Sequence, residues 1–231
     1  PRVIACGVEA EMAYSVADFV EGSALVDDSV DRLRVWKTLG KYASKLNSIP
    51  LKEAVSQNPV KSYFMRSWVE QVREDLELAF NNDNWERSGI ISQDELTHLR
   101  STLEKCVEIQ APIGVCQIDI CCENALICNN NYNEIYLLDL ELTIAAPVPH
   151  YQISCVAKTW GLRSDITEAF MSGYGISEFK RTEIKTDLSR LVVLGAMRAV
   201  GWAANKRPAD LEYYLKKAKP ILADFTSRSL R

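Results

Sequence analysis

After Pro149 the chain offers only helical spacing. In ISCVAKTWGL, DITEAFMSGYG, KTDLSRLVVLGAMRAVGWAAN and DLEYYLKKAKPILADF the apolar residues return at helical intervals, which gathers them on one face of a helix and scatters them over both faces of a strand. So long a helical end excludes an all-β fold and a regular alternation of strands and helices. A chain of 231 residues with 47% hydrophobic content can bury one sizeable core or two small ones around such helices.

The first half is mixed. Residues 1–26 hold two short β-branched runs, RVIACGV and AYSVADFV, separated by EAEM and closed by EGS; they predict a hairpin or two edge strands. Then Val30, Leu33, Trp36, Leu39, Ala43 and Leu46 predict an amphipathic helix that Pro50 ends. Tyr63, Phe64, Val69, Val72, Leu76 and Ala79 give a looser helical pattern over 60–80. Ser92 with Glu95 forms a capping box that opens a helix through about Val107. Three short apolar runs follow, APIGVCQID, NALIC and EIYLLDLEL, with NNNYN as a turn between the last two. The expected class is mostly α (α+β): a helical body with a small central β-hairpin and a short N-terminal β segment.

A net charge of −4 gives no basic field for nucleic acid. No apolar run reaches the roughly 18–20 residues of a membrane helix, and no basic leader with an apolar core opens the chain, so a soluble, cytoplasmic protein is expected. The seven cysteines, Cys6, Cys106, Cys116, Cys121, Cys122, Cys128 and Cys155, show no C-x2-C repeat; they read as buried free thiols, with a zinc module far behind. The five tryptophans read as packing residues, His98 and His150 as structural or surface residues, and Lys216, Lys217 and Lys219 as a solvated helix face.

The chemistry concentrates in VCQIDICCENALI, residues 115–127. Asp119 and Asn124 flank a turn between two apolar runs, and Asp139 ends EIYLL. An Asp-x4-Asn pair alone carries little weight; with Asp139 at the end of a strand, the set could converge on one side of the hairpin. Two carboxylates and an amide suit phosphoryl transfer, in which magnesium takes hard oxygen ligands and a carboxylate orients or deprotonates the acceptor hydroxyl.

The stretch VCQIDICCENALICNNNYNEIYLLDLE resembles the signature of the aminoglycoside phosphotransferase and choline kinase family, a catalytic His-x-Asp-(x4)-Asn loop followed by an Ile-Asp-Trp/Phe-Glu metal strand. AYSVADFVEGSAL is similar to that family's interlobe hinge, TLGKYASKLNSIPL to its Leu-Gly-x-x-Leu-Ala-x-Leu-His helix, and EAFMSGYG to the helix end before its last helices. The match is collinear over about residues 3–205. The resemblance implies a protein-kinase-like fold, with 1–26 a remnant of the N-terminal lobe and hinge and 27–231 the helical C-terminal lobe. It implies ATP and Mg2+ as cofactors, Asp119 as catalytic base, Asn124 and Asp139 as magnesium ligands, and backbone at Asp18 and Val20 against adenine. Glu141 matches an acidic position, equally open to a surface role. Asp165 and Glu168 could line a pocket for a cationic small-molecule acceptor, or serve the N-terminal dipole of their helix.

The departures from the family pattern are specific. Gln117 stands where the family has histidine, Cys121, Cys122 and Glu123 where it has His-Pro-Gly, Asn47 at the end of the helix motif instead of histidine, and a position near Gln152 in place of an acidic residue. The nucleotide lysine and its glutamate partner would lie upstream of the hinge, so the enzyme reading expects a longer natural chain. The alternative is a catalytically degenerate kinase-like scaffold.

Overall fold

A computed structural model describes residues 3–9, 12–24, 32–51, 66–81, 83–128, 135–139 and 142–229. Strands β1 (Val3–Glu9) and β2 (Met12–Ala17) pair antiparallel with Ala5 opposite Val16 and Glu9 opposite Met12, the ribbon that the β-branched runs predict. Val30, Tyr63, Phe64, Glu141 and the NNNYN turn lie outside the described residues.

Helix α1 (Arg32–Asn47) buries Trp36, Leu39, Gly40, Ala43 and Asn47, a stripe at helical spacing. The stripe is rotated from the expected one. Leu33 is exposed, whereas Gly40 and Asn47 face inward, because α1 meets its neighbour at a distance only glycine permits and its last inward position carries an amide with buried partners. Helices α2 (Trp68–Phe80) and α4 (Gln93–Glu104), on either side of the short α3 (Asn84–Arg87), both open with complete capping boxes, Ser67 with Glu70 and Ser92 with Glu95. Past α4 the chain tightens into a 3-10 turn over Lys105–Glu108.

The single central hairpin of the sequence reading is two ribbons. β4 (Ile113–Gln117) pairs with β7 (Thr143–Pro147), while β5 (Ala125–Ile127) lies between β3 (Ser23–Ala24) and β6 (Ile135–Leu137). The segment 118–124 therefore crosses from one ribbon to the other. Buried Ile120 and Cys122 pull it into the core, which prevents a tight turn and sends β4 and β5 apart.

The C-terminal helices are α5 (His150–Trp160), α6 (Asp165–Tyr174), α7 (Glu178–Lys206) and, after a 3-10 turn at Pro208–Asp210, α8 (Leu211–Ser229). Helix α5 is buried from His150 through Ala157 and divides the core. Tyr151 and Cys155 join the cluster made with α2, α4, α7 and α8; Ile153, Val156 and Ala157 join the one made with α1, α6 and the crossing segment. In the second cluster the Trp36 ring stands edge-on to Trp160 at 6.1 Å and to Phe170 at 6.3 Å. The cysteines are free, as expected, but Cys6 is exposed rather than buried. Among the described residues no group of three His, Cys, Asp or Glu side chains is placed to hold a metal, and no helix is long and apolar enough to cross a membrane.

His150 adds a dependence on pH. Burial lowers its pKa from the ordinary 6.5, and Lys180 acts in the same direction while Asp187 and Glu183 oppose it. The unfolded chain takes up this proton more readily than the folded chain, so stability is unaffected above pH 6.5 and falls as pH drops below it. Urea denaturation from pH 7 to pH 5 should show this loss, and His150→Gln should flatten it.

Candidate functional site

The crossing segment carries two of the three candidate site residues, Asp119 and Asn124. Ile120 and Cys122 anchor it inward, leaving Asp119 exposed and Asn124 half-buried. Asn124 Nδ2 donates to Asp119 Oδ2 at 3.0 Å and to the Asp119 carbonyl at 3.1 Å. With its nitrogen committed to Asp119, the amide keeps Oδ1 as its acceptor for a cation. Asp119 has a second carboxylate oxygen beyond the one that Asn124 engages.

Asp139 reaches the same place through its backbone. It follows β6 with φ +53°, a left-handed conformation that aspartate tolerates better than most residues. Two bonds fix it there: Leu138 N–H donates to the Asn124 carbonyl at 2.8 Å, and Gln117 Nε2 donates to the Asp139 carbonyl at 2.6 Å. Asn124 is thus bonded to Asp119 by its side chain and to Leu138 by its backbone, and the Asp139 backbone is tied to Gln117 at the end of β4.

A buried amide network stands behind them. Gln117 is buried; its side chain accepts from Thr143 Oγ1 at 3.3 Å while donating to Asp139. Its backbone is held by Gln152, whose Oε1 accepts from Gln117 N–H at 3.1 Å and whose Nε2 donates to the Gln117 carbonyl at 2.8 Å. Gln152 Oε1 also accepts from Asn47 Nδ2 at 3.2 Å. Asn47 Nδ2 in turn donates to the Val115 carbonyl at 2.6 Å, and its Oδ1 accepts from Tyr174 OH at 2.6 Å. Asn47 and Gln117 are two positions where the sequence departs from the pattern it resembles, Gln152 lies near a third, and all three residues belong to this one network. The sequence marks them only as departures; their positions late on the stripe of α1, at the end of β4 and on the all-round buried α5 are the signal that they face inward together.

Asp18 and Val20 lie in the irregular segment between β2 and β3, and β3 pairs directly with β5, so the segment runs into the sheet whose far strand leads to Asp139. Asp165 and Glu168 sit in the first turn of α6, with Glu168 in an ion pair with Arg181. Cys121 lies between the site residues, but burial pushes its thiol up to about 12, which keeps it protonated and weakly nucleophilic at neutral pH. Oxygen donors are the chemistry of this loop.

No family model matches the chain, and no curated protein matches it. Solved structures do. The GDP complex of an aminoglycoside 2'-phosphotransferase-IIIa matches with TM-score 0.69 and 15% identity over 97% of this chain and 75% of that one. An ethanolamine kinase from Plasmodium vivax gives TM-score 0.61 and 16% identity over 94% of this chain and 66% of that one. A choline/ethanolamine kinase family protein from Mesorhizobium loti gives TM-score 0.61 and 16% identity over 98% and 72%. By this measure the chain has the protein-kinase-like fold of the aminoglycoside phosphotransferases and the choline and ethanolamine kinases.

Proposed function

We propose that this chain serves a small-molecule phosphotransferase that moves the terminal phosphoryl group of ATP to a hydroxyl of a metabolite. Fold alone does not carry a function. The supporting observation is the hydrogen bond from Asn124 to the Asp119 carboxylate and the backbone bond that sets Leu138, next to Asp139, against Asn124, in a fold shared with such enzymes.

In this reading Asp119 orients the acceptor hydroxyl and takes its proton on the carboxylate oxygen that Asn124 leaves open. Asn124, through Oδ1, and Asp139, through its carboxylate, would hold magnesium; hard oxygen donors of this kind fit that ion. Magnesium, when bound, supplies charge neutralisation on the phosphates. The backbone at Asp18 and Val20 faces the adenine. Gln117 supplies the donor that holds Asp139, so its presence does not by itself favour the scaffold alternative.

Thermal unfolding with and without MgATP or MgGTP tests this. Nucleotide at a hundred times its Kd should add about 2.7 kcal/mol. Asp139→Ala should remove the magnesium-dependent part of the shift, while Asp119→Asn should keep it. No shift at millimolar concentrations of either nucleotide would overturn the reading and leave the scaffold.

A further inference from the structure

A second feature lies away from the crossing segment. At the C-terminal end of α5 a cavity of about 1080 Å³ opens between the 159–164 segment, α7 and α8, at the upper end of the roughly 300–1,000 Å³ typical of small-molecule sites. None of its lining residues belongs to the Asp119 loop or to the Asp139 strand, so binding there can be read without reference to phosphoryl transfer.

The lining has two parts. Trp160, Leu162, Val193, Ile221 and Phe225 form an apolar floor, and all but Val193 are half-buried, so their faces would lose water to a ligand. Around it stand Arg163, Lys185, Arg190, Lys216 and Lys217, against one carboxylate, Asp224. Arg190 is paired with Asp187, and Lys217 lies over the Tyr213 ring at 4.7 Å. Arg163, Lys185 and Lys216 have no carboxylate partner among the described residues. In a chain of net charge −4, five cations around one apolar cleft are a local reversal of sign. A solvated lysine face, the expectation for Lys216 and Lys217, does not account for the apolar floor that they border.

We propose that this cleft binds an amphipathic anion: a small molecule with an apolar body and a carboxylate or phosphate monoester head. The body lies on Trp160, Leu162, Ile221 and Phe225. The head is met by Arg163 and Lys216, where Arg offers a planar fork and Lys a point charge. A cationic ligand of the same shape is repelled.

Calorimetric titration of the whole chain with decanoate, decyl phosphate, decylamine and inorganic phosphate, all below micelle-forming concentrations, tests this. Saturable 1:1 binding of decanoate, decyl phosphate or both is expected, and which of the two binds tells the head group. The double charge reversal Arg163→Glu/Lys216→Glu, at exposed positions that leave the core intact, should weaken binding roughly tenfold or more, a tenfold loss being about 1.4 kcal/mol. Leu162→Asp should weaken decanoate and decyl phosphate alike by removing apolar floor. Equal binding of decylamine, equal binding of inorganic phosphate, or no binding of either amphipathic anion would each overturn the proposal.

Discussion

Gly173→Ala is expected to destabilise the protein by about 3 kcal/mol or more, the upper end of overpacking costs, although the same change in a free helix would stabilise it by roughly 1 kcal/mol. The reason is the crossing of α1 and α6. A Cβ on Gly173 would fall 1.8 Å from the Lys37 carbonyl oxygen, and one on Gly40 would fall 2.1 Å from the Phe170 carbonyl oxygen. Each helix presses a glycine into the other's backbone, and backbone cannot swing aside as a side-chain tip can. The helices would have to separate, pulling apart Trp36 and Phe170 in the core and stretching the bond from Tyr174 OH to Asn47. Gly195→Ala in α7 is the control, because its Cβ would meet only the Lys158 side chain, at 3.4 Å. Chemical denaturation should show a large loss for Gly173→Ala and none for Gly195→Ala; equal effects would mean that the crossing is looser than its geometry states.

This crossing also shows what the sequence could and could not convey. Apolar periodicity located α1, and the Ser92–Glu95 pair located the start of α4 to the residue. The face of α1 was harder to read. Leu33 and Leu46 fit a hydrophobic stripe, but a glycine and an asparagine occupy inward positions, and neither residue type announces burial. The partner of β4 was illegible for a different reason: its ladder joins Gln117 to Thr143, 26 residues away, and nothing local in TIAAP names that partner. Asp119, Asn124 and Asp139 stood out because acidic and amide groups at the ends of apolar runs need an explanation. The amides behind them stand out less: their positions signal burial, but the bonds that join them link residues 35 and 105 positions apart.

Those amides carry the second large effect. Gln152→Leu keeps the approximate volume but removes the acceptor for Gln117 N–H, the donor for the Gln117 carbonyl and one of the acceptors of Asn47 Nδ2, which keeps its bond to the Val115 carbonyl. Each stranded buried group costs about 1–3 kcal/mol, and because members of one network are coupled rather than additive, a total of about 3–5 kcal/mol is expected. The effect should reach the site. Once Gln117 is no longer held at both backbone groups, its side chain loses the fixed position from which Nε2 meets the Asp139 carbonyl, and the magnesium-dependent share of any nucleotide-induced stabilisation should shrink with it. Gln152→Glu separates the two roles of the residue. A carboxylate still accepts from Gln117 N–H and Asn47, but it cannot donate, and burial raises its pKa above that of the unfolded chain. Its protonated form can donate as the amide does, so Gln152→Glu should be most stable at acidic pH and lose stability as pH rises through the folded-state pKa, a slope that wild type lacks at this position. Denaturation of wild type and both variants across pH 4–8, followed by metal titration of the nucleotide-saturated proteins, measures both consequences. Wild-type stability in Gln152→Leu would show that the bonds to Gln117 contribute nothing net. Lost stability with an unchanged response to magnesium would show that the network supports the core without positioning Asp139.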